Sequence, residues 1–200
     1  MSPTGDDIRA GFAARSLALE RAASLTARVE EAAGAIAACL RGGGTVYACG
    51  NGGSASQAAH FVAELVGRFK RERWALRAVS LVDNSATLTS IANDYAFAEV
   101  FSRQLAGVIR PGDCLLALST SGNSENVVRA CSAARAAGAT AIALTGEAGG
   151  RAAEASTLAI RVPDTDTPRV QEIHLLVIHL LCEIVEGALT GPGDTGAGAP

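Results

Sequence analysis

Leu115-Leu116-Ala117-Leu118-Ser119-Thr120-Ser121-Gly122-Asn123-Ser124-Glu125-Asn126 reads as a buried strand that runs straight into a hydroxyl-rich turn and then opens an amphipathic helix. The hydroxyls of Ser119, Thr120, Ser121 and Ser124, with Gly122 among them, fall where the first amides of the helix have no intrahelical partner. An anion at that point is held by oriented N–H dipoles as well as by side chains. The pattern implies a phosphorylated small molecule as ligand.

Outward from this stretch the same alternation repeats. Strands are predicted at 45–49, 77–81, 113–118, 140–144 and 158–162. Helices are predicted at 54–69, with Ser54 as cap, at 86–91, 97–108, 125–137 and 169–189, with a short one near 150–155. From about Asp7 to Arg41, apolar Leu17, Leu25 and Val29 recur at helical spacing, giving one long helix or two, stopped by Gly42-Gly43-Gly44. Strands interleaved with helices require a parallel sheet with helices on both faces, an α/β three-layer αβα sandwich of flavodoxin-like type with a long N-terminal helix. Residues 1–189 read as one domain, and residues 190–200, rich in Gly, Pro, Ala and Thr, as a disordered tail.

Composition narrows the class. Of 200 residues, 48% are hydrophobic and 18% charged, the balance of a globular chain. A net charge of −3 leaves no nucleic-acid footprint. Arg68, Lys70, Arg71 and Arg73 cluster but are interrupted by Glu72, which reads as a solvated helix end. No signal peptide opens the sequence and the greasiest run, Ile173 to Val185, is too short for a bilayer, so a cytoplasmic protein with no membrane partner is expected. The cysteines, Cys39, Cys49, Cys114, Cys131 and Cys182, are odd in number and widely spaced, and read as reduced packing residues.

A second special turn, Gly50-Asn51-Gly52-Gly53-Ser54, follows the first strand. In a doubly wound sheet both turns lie beyond the carboxyl ends of strands and can face one crevice. Neither is a Walker loop, because no Gly-Lys-Ser/Thr follows. Gly50, Gly52 and Ala55 loosely fit a dinucleotide fingerprint, but Asp83, the acidic partner it needs, stands too far along the chain, after an extra loop from Lys70 to Trp74. His60 and Glu64, four residues apart, share one helix face; such a pair serves as a proton-transfer site or as a plain packing contact. His179, between Ile178 and Leu180, reads equally as a core histidine.

Taken together, Gly50 to Ser54, the His60 to Glu64 segment, Ala92-Asn93-Asp94, the 119–124 turn and Gln171-Glu172-Ile173-His174 resemble the sugar isomerase (SIS) domains, and within them the phosphoheptose isomerases. The resemblance runs from about the first helix to Leu189 and implies a sugar 7-phosphate whose phosphate sits on the 119–124 turn. It implies Glu64 and His179 as catalytic groups in an aldose-ketose isomerisation. It also implies Asn51, Gly52, Gly53, Ser54, Asn93, Asp94 and Gln171 as sugar-binding residues beside Ser119, Thr120, Ser121 and Ser124. Some members bind zinc through residues matching His60, Glu64, Gln171 and His179, and the family implies a homotetramer. Eight residues of helix put Gln171 and His179 about 12 Å apart, so either Gln171 precedes the helix or the site is shared between subunits, the alternative preferred here. Pro168 stands where the resembling enzymes often have aspartate, and Asp164 or Asp166 is the nearest substitute. A non-catalytic SIS-domain binder and a dinucleotide-dependent oxidoreductase are the rival readings.

Overall fold

A computed structural model describes residues 4–190. Helices α1 (Gly5–Ala22) and α2 (Thr26–Arg41) lead into β1 (Val46–Gly50), α3 (Gly53–Val66) and β2 (Ala78–Ser80). There follow α4 (Ser85–Asp94), α5 (Ser102–Ala106), β3 (Cys114–Ser119), α6 (Glu125–Ala136) and β4 (Thr140–Thr145), then α7 (Gly150–Ala155), β5 (Leu158–Arg161) and α8 (Thr167–Leu189). All five strands are parallel, in the order β2-β1-β3-β4-β5. The chain leaves β1 to one side to build β2 and returns on the other side with β3, so the switch point lies between β1 and β3.

Strand side chains alternate between two cores, as a sheet covered on both faces requires. Val46, Ala48, Leu116, Leu118, Ile142 and Leu144 pack against α2, α3 and α8. Tyr47, Cys49, Leu115, Ala117, Ala141 and Ala143 pack on the opposite face, against α5, α6 and α7. The cysteines are free and buried, and burial first of all pushes Cys39 up to about 11 and Cys131 up to about 12.

The N-terminal helix is two. A 3-10 turn at Ala23–Leu25 separates α1 from α2, where Ser24 Oγ donates to the Arg21 carbonyl and Thr26 Oγ1 to that of Ala23. Hydroxyls bonding back to the preceding turn compete with the helix ladder and bend it. Of α1 only Ala18 is buried; Ile8, Phe12, Leu17 and Leu19 are exposed. Most of the expected tail lies outside the described residues. Thr190, its first residue, instead closes α8: it is buried and its hydroxyl donates to the Glu186 carbonyl. Among the described residues no helix is long and apolar enough to cross a membrane.

The basic cluster is not simply solvated. Arg68 pairs with Glu72 and Lys70 with Glu183 at the surface, but Arg73 is buried against Glu186.

Candidate active site

The turns after β1 and β3 meet at the switch point. Asn51, Ser54, Leu118, Ser119, Thr120, Ser124 and Gln171 line a small pocket of about 120 Å³ there. Ser119 Oγ donates to Ser124 Oγ at 3.2 Å. Ser124 is the N-cap of α6, yet its hydroxyl does not cap that helix, which leaves it available to a ligand. The amides of Ser124, Glu125 and Asn126 have no hydrogen-bond partner among the described residues, the arrangement that binds anions at helix starts. Ser121 is outside that lining: it is exposed and its hydroxyl accepts from the Asn123 amide.

Gly122 shows why this turn cannot carry a larger residue. Its φ is +66°, and a Cβ there would stand 1.9 Å from the Gly149 carbonyl oxygen, so the β3–α6 turn lies directly on the β4–α7 turn. Gly146 N donates to Thr120 O, tying the end of β4 to the same loop.

In the β1–α3 turn the N-cap of α3 is Gly52, at φ +55°, and not Ser54. Only glycine takes that conformation without strain, so the helix starts early and Ser54 is carried, buried, into the pocket wall. A Cβ at Gly53 would meet the end of the Gln171 side chain at 2.8 Å, so a larger residue where α8 crosses the start of α3 would displace that side chain. Gln57 Nε2 donates to the Gln171 carbonyl at 2.7 Å. Gln171 is inside α8, which excludes the alternative that it precedes the helix.

One residue of this site escaped the sequence reading. Asn126 is buried, and it exchanges two hydrogen bonds of 2.9 Å with Asn51, amide to amide in both directions. The pair latches the two turns together across the switch point, so Asn51 lines the pocket with its side-chain amide already engaged. An asparagine in the first turn of a helix reads from sequence as a cap, and nothing in the chain pointed from position 126 to position 51.

The second constellation lies farther along α3 and α8. His60 Nε2 is 3.1 Å from His179 Nε2 and 3.4 Å from Glu64 Oε1. The Cys182 thiol is pushed up to about 12 by burial first and then by the charge of the Glu64 carboxylate. The side chains of His60 and Glu64 are 41% and 25% exposed, so a small molecule can reach them. His179 is thus not a core histidine, and the His60–Glu64 pair is not an isolated packing contact. The four residues expected around zinc do not all gather: Gln171 belongs to the hydroxyl pocket, about 12 Å along the helix from His179. Among the described residues no group of three or more His, Cys, Asp or Glu side chains is arranged to hold a metal ion, although two imidazoles and a carboxylate are ordinary zinc donors.

Other expected residues stand apart. Asn93 and Asp94 are exposed at the end of α4, where Asn93 donates to the Asp94 carboxylate, and neither lines the pocket. Asp164 does not stand free near Pro168, since its carboxylate takes a forked pair of bonds from Arg169, which holds it down at about 2. Asp166 is the N-cap of α8, accepting from the Arg169 amide. His174 is fully buried; its Nε2 faces the Thr145 carbonyl at 3.2 Å, and burial brings it down to about 4, so it is a neutral structural imidazole.

The family model of the SIS domain matches residues 12–146. A phosphoheptose isomerase of Rhodospirillum rubrum is 53% identical over 136 residues, 68% of this chain and 72% of that protein. One from Thiobacillus denitrificans is 48% identical over 176 residues, 86% of this chain and 89% of that protein. The solved phosphoheptose isomerase of Neisseria gonorrhoeae superposes with a TM-score of 0.86 at 40% identity, covering 90% of this chain and 97% of the other. The chain therefore belongs to the SIS domain family and, within it, to the phosphoheptose isomerases.

Proposed function

We propose that this chain is an aldose-ketose isomerase that converts sedoheptulose 7-phosphate into D-glycero-D-manno-heptose 7-phosphate, the first step towards nucleotide-activated heptose. The phosphate sits in the cradle of Ser119, Thr120 and Ser124 at the start of α6, and the open-chain sugar extends towards α3 and α8. Glu64 takes a proton from C1 of the ketose, giving a cis-enediolate. A proton returned to C2 completes the aldose. His179 moves the proton between O1 and O2, and His60 bridges the two groups. The observation that carries this reading is the His60, Glu64 and His179 cluster, held within hydrogen-bond reach and open to solvent on the helix pair that also walls the hydroxyl pocket.

Zinc belongs to the same proposal. His60, Glu64, Gln171 and His179, gathered from more than one subunit because among the described residues of one chain no three metal-ligating acidic, histidine or cysteine side chains are arranged for an ion, would hold it, and when bound it would supply Lewis-acid polarisation of the sugar oxygens. We also propose a homotetramer with sites shared between subunits. Its support is the exposed apolar side chains of α1 and the groove that Leu19, Leu25, Val29, Leu176, Leu180 and Ile184 line between the N-terminal helices and α8. Asn93 and Asp94, which do not line the pocket of their own chain, would then serve a neighbour. A cytoplasmic site of action belongs to the same proposal.

The test is turnover in D2O. Sedoheptulose 7-phosphate should be converted with deuterium appearing at C2 of the aldose, and absence of conversion by the assembled protein would refute the reading.

A further inference from the structure

The irregular segment 67–77 between α3 and β2 is held from within by one buried ion pair. Glu186, on α8, is 2% exposed and accepts from the backbone amides of Phe69, Lys70 and Arg71 at 3.1, 2.8 and 2.9 Å and from Arg73 Nε at 3.1 Å. Burial works to raise its carboxyl, but those amides and the guanidinium together bring it below the ordinary carboxylate value. Arg73 sends its other N–H groups to the carbonyls of Glu64, Leu65, Gly67 and Trp74 at 2.7, 2.8, 3.1 and 2.9 Å. The carbonyls of Glu64 and Leu65 belong to the last turn of α3, where acceptors have no intrahelical partner; that of Leu65 also accepts from the Leu76 amide at 3.1 Å.

A pair so placed explains a stable loop, because three backbone amides and four backbone carbonyls find their partners in it. Two contacts go further. Phe69, whose amide Glu186 holds, lays its ring against the His179 imidazole, with centroids 5.6 Å apart and planes inclined by 30°. Glu64, whose carbonyl Arg73 holds, is the carboxylate beside His60. His179 and Glu186 are seven residues apart and so share one face of α8.

We propose that Arg73 and Glu186 are positioning residues for the isomerisation: the pair fixes the turn of α3 that carries Glu64 and seats Phe69 against His179, setting the spacing of the proton-transfer groups. This rests on the roles given above to Glu64 and His179. Misplacing a reacting group by about 1 Å can cost on the order of a hundredfold in rate, while the phosphate cradle, at the far end of both helices, keeps its geometry.

The test compares wild type, the double variant Arg73→Met/Glu186→Leu, Phe69→Ala and Glu64→Gln as assembled proteins, by thermal melting and by steady-state turnover of sedoheptulose 7-phosphate. The double variant should still melt cooperatively, at a lower temperature because the backbone groups that the pair held lose their partners, with kcat reduced about tenfold or more and KM within about threefold. Phe69→Ala should show the same split. A folded double variant with kcat within about twofold of wild type overturns the positioning role. Should the double variant fail to fold, Phe69→Ala decides by the same criterion. If Glu64→Gln retains full turnover, the reading beneath the proposal falls and the proposal with it; if Glu64→Gln is dead and the double variant fully active, only the positioning role fails.

Discussion

The Nε2 atoms of His60 and His179 stand 3.1 Å apart although the residues are 119 positions apart in the chain. At that distance one ring nitrogen carries the shared proton and the other accepts it, so the tautomer of one imidazole sets that of the other. Replacing His60 with alanine should lower kcat by about a hundredfold or more, the usual weight of one member of a proton-transfer set. Steady-state kinetics should show little change in KM. An unaltered kcat would mean that the contact is packing alone.

Asn126 predicts the opposite split. Asn126→Ala leaves the Asn51 amide without the partner that latches the two turns, at a cost of about 1–3 kcal/mol for a lost buried hydrogen-bond partner. The pocket between those turns should loosen, so phosphosugar binding measured by calorimetry should weaken about tenfold or more while kcat at saturation changes less. Equal affinity in the variant would detach Asn126 from ligand binding.

Most of the fold could be read directly from residue patterns, because unbroken apolar runs such as Leu115 to Leu118 and the helical spacing of Leu25 and Val29 encode burial locally. The hydroxyls of the 119–124 turn were legible for the same reason, since strand, turn and helix start are contiguous. What sequence could not show were contacts closed by tertiary packing. Gly52 displaces Ser54 as helix cap because of a positive φ. Arg73 looks like one more charge in a basic run until Glu186, 113 residues on, is brought to it. Asn126 and Asn51 meet only because β1 and β3 are neighbours in the sheet.

His174 gives a pH prediction with a definite sign. Its folded-state value, about 4, lies below the ordinary 6.5 of an unfolded histidine. Between those values the unfolded chain binds the extra proton, so the stability contributed by neutral His174 is complete above about pH 6.5 and is lost as pH falls towards 4. The loss is on the order of 3 kcal/mol. Thermal melts from pH 7 to pH 4 should therefore fall steeply for wild type and less steeply for His174→Gln. Parallel slopes would assign the acid sensitivity to other groups.

Metal removal tests the zinc proposal apart from the acid-base one. Dialysis against a chelator should lower turnover, zinc should restore it, and His60→Ala should hold less zinc than wild type by elemental analysis. Full activity after zinc is gone would reject the metal and leave Glu64 and His179 as the working groups.

The most direct test of the central claim is the turnover of sedoheptulose 7-phosphate by Glu64→Gln, a change that removes the base and keeps the shape of the side chain. The variant should bind the phosphosugar as wild type does and lose turnover by about a thousandfold or more. Turnover close to that of wild type would show that Glu64 does not take the proton from C1.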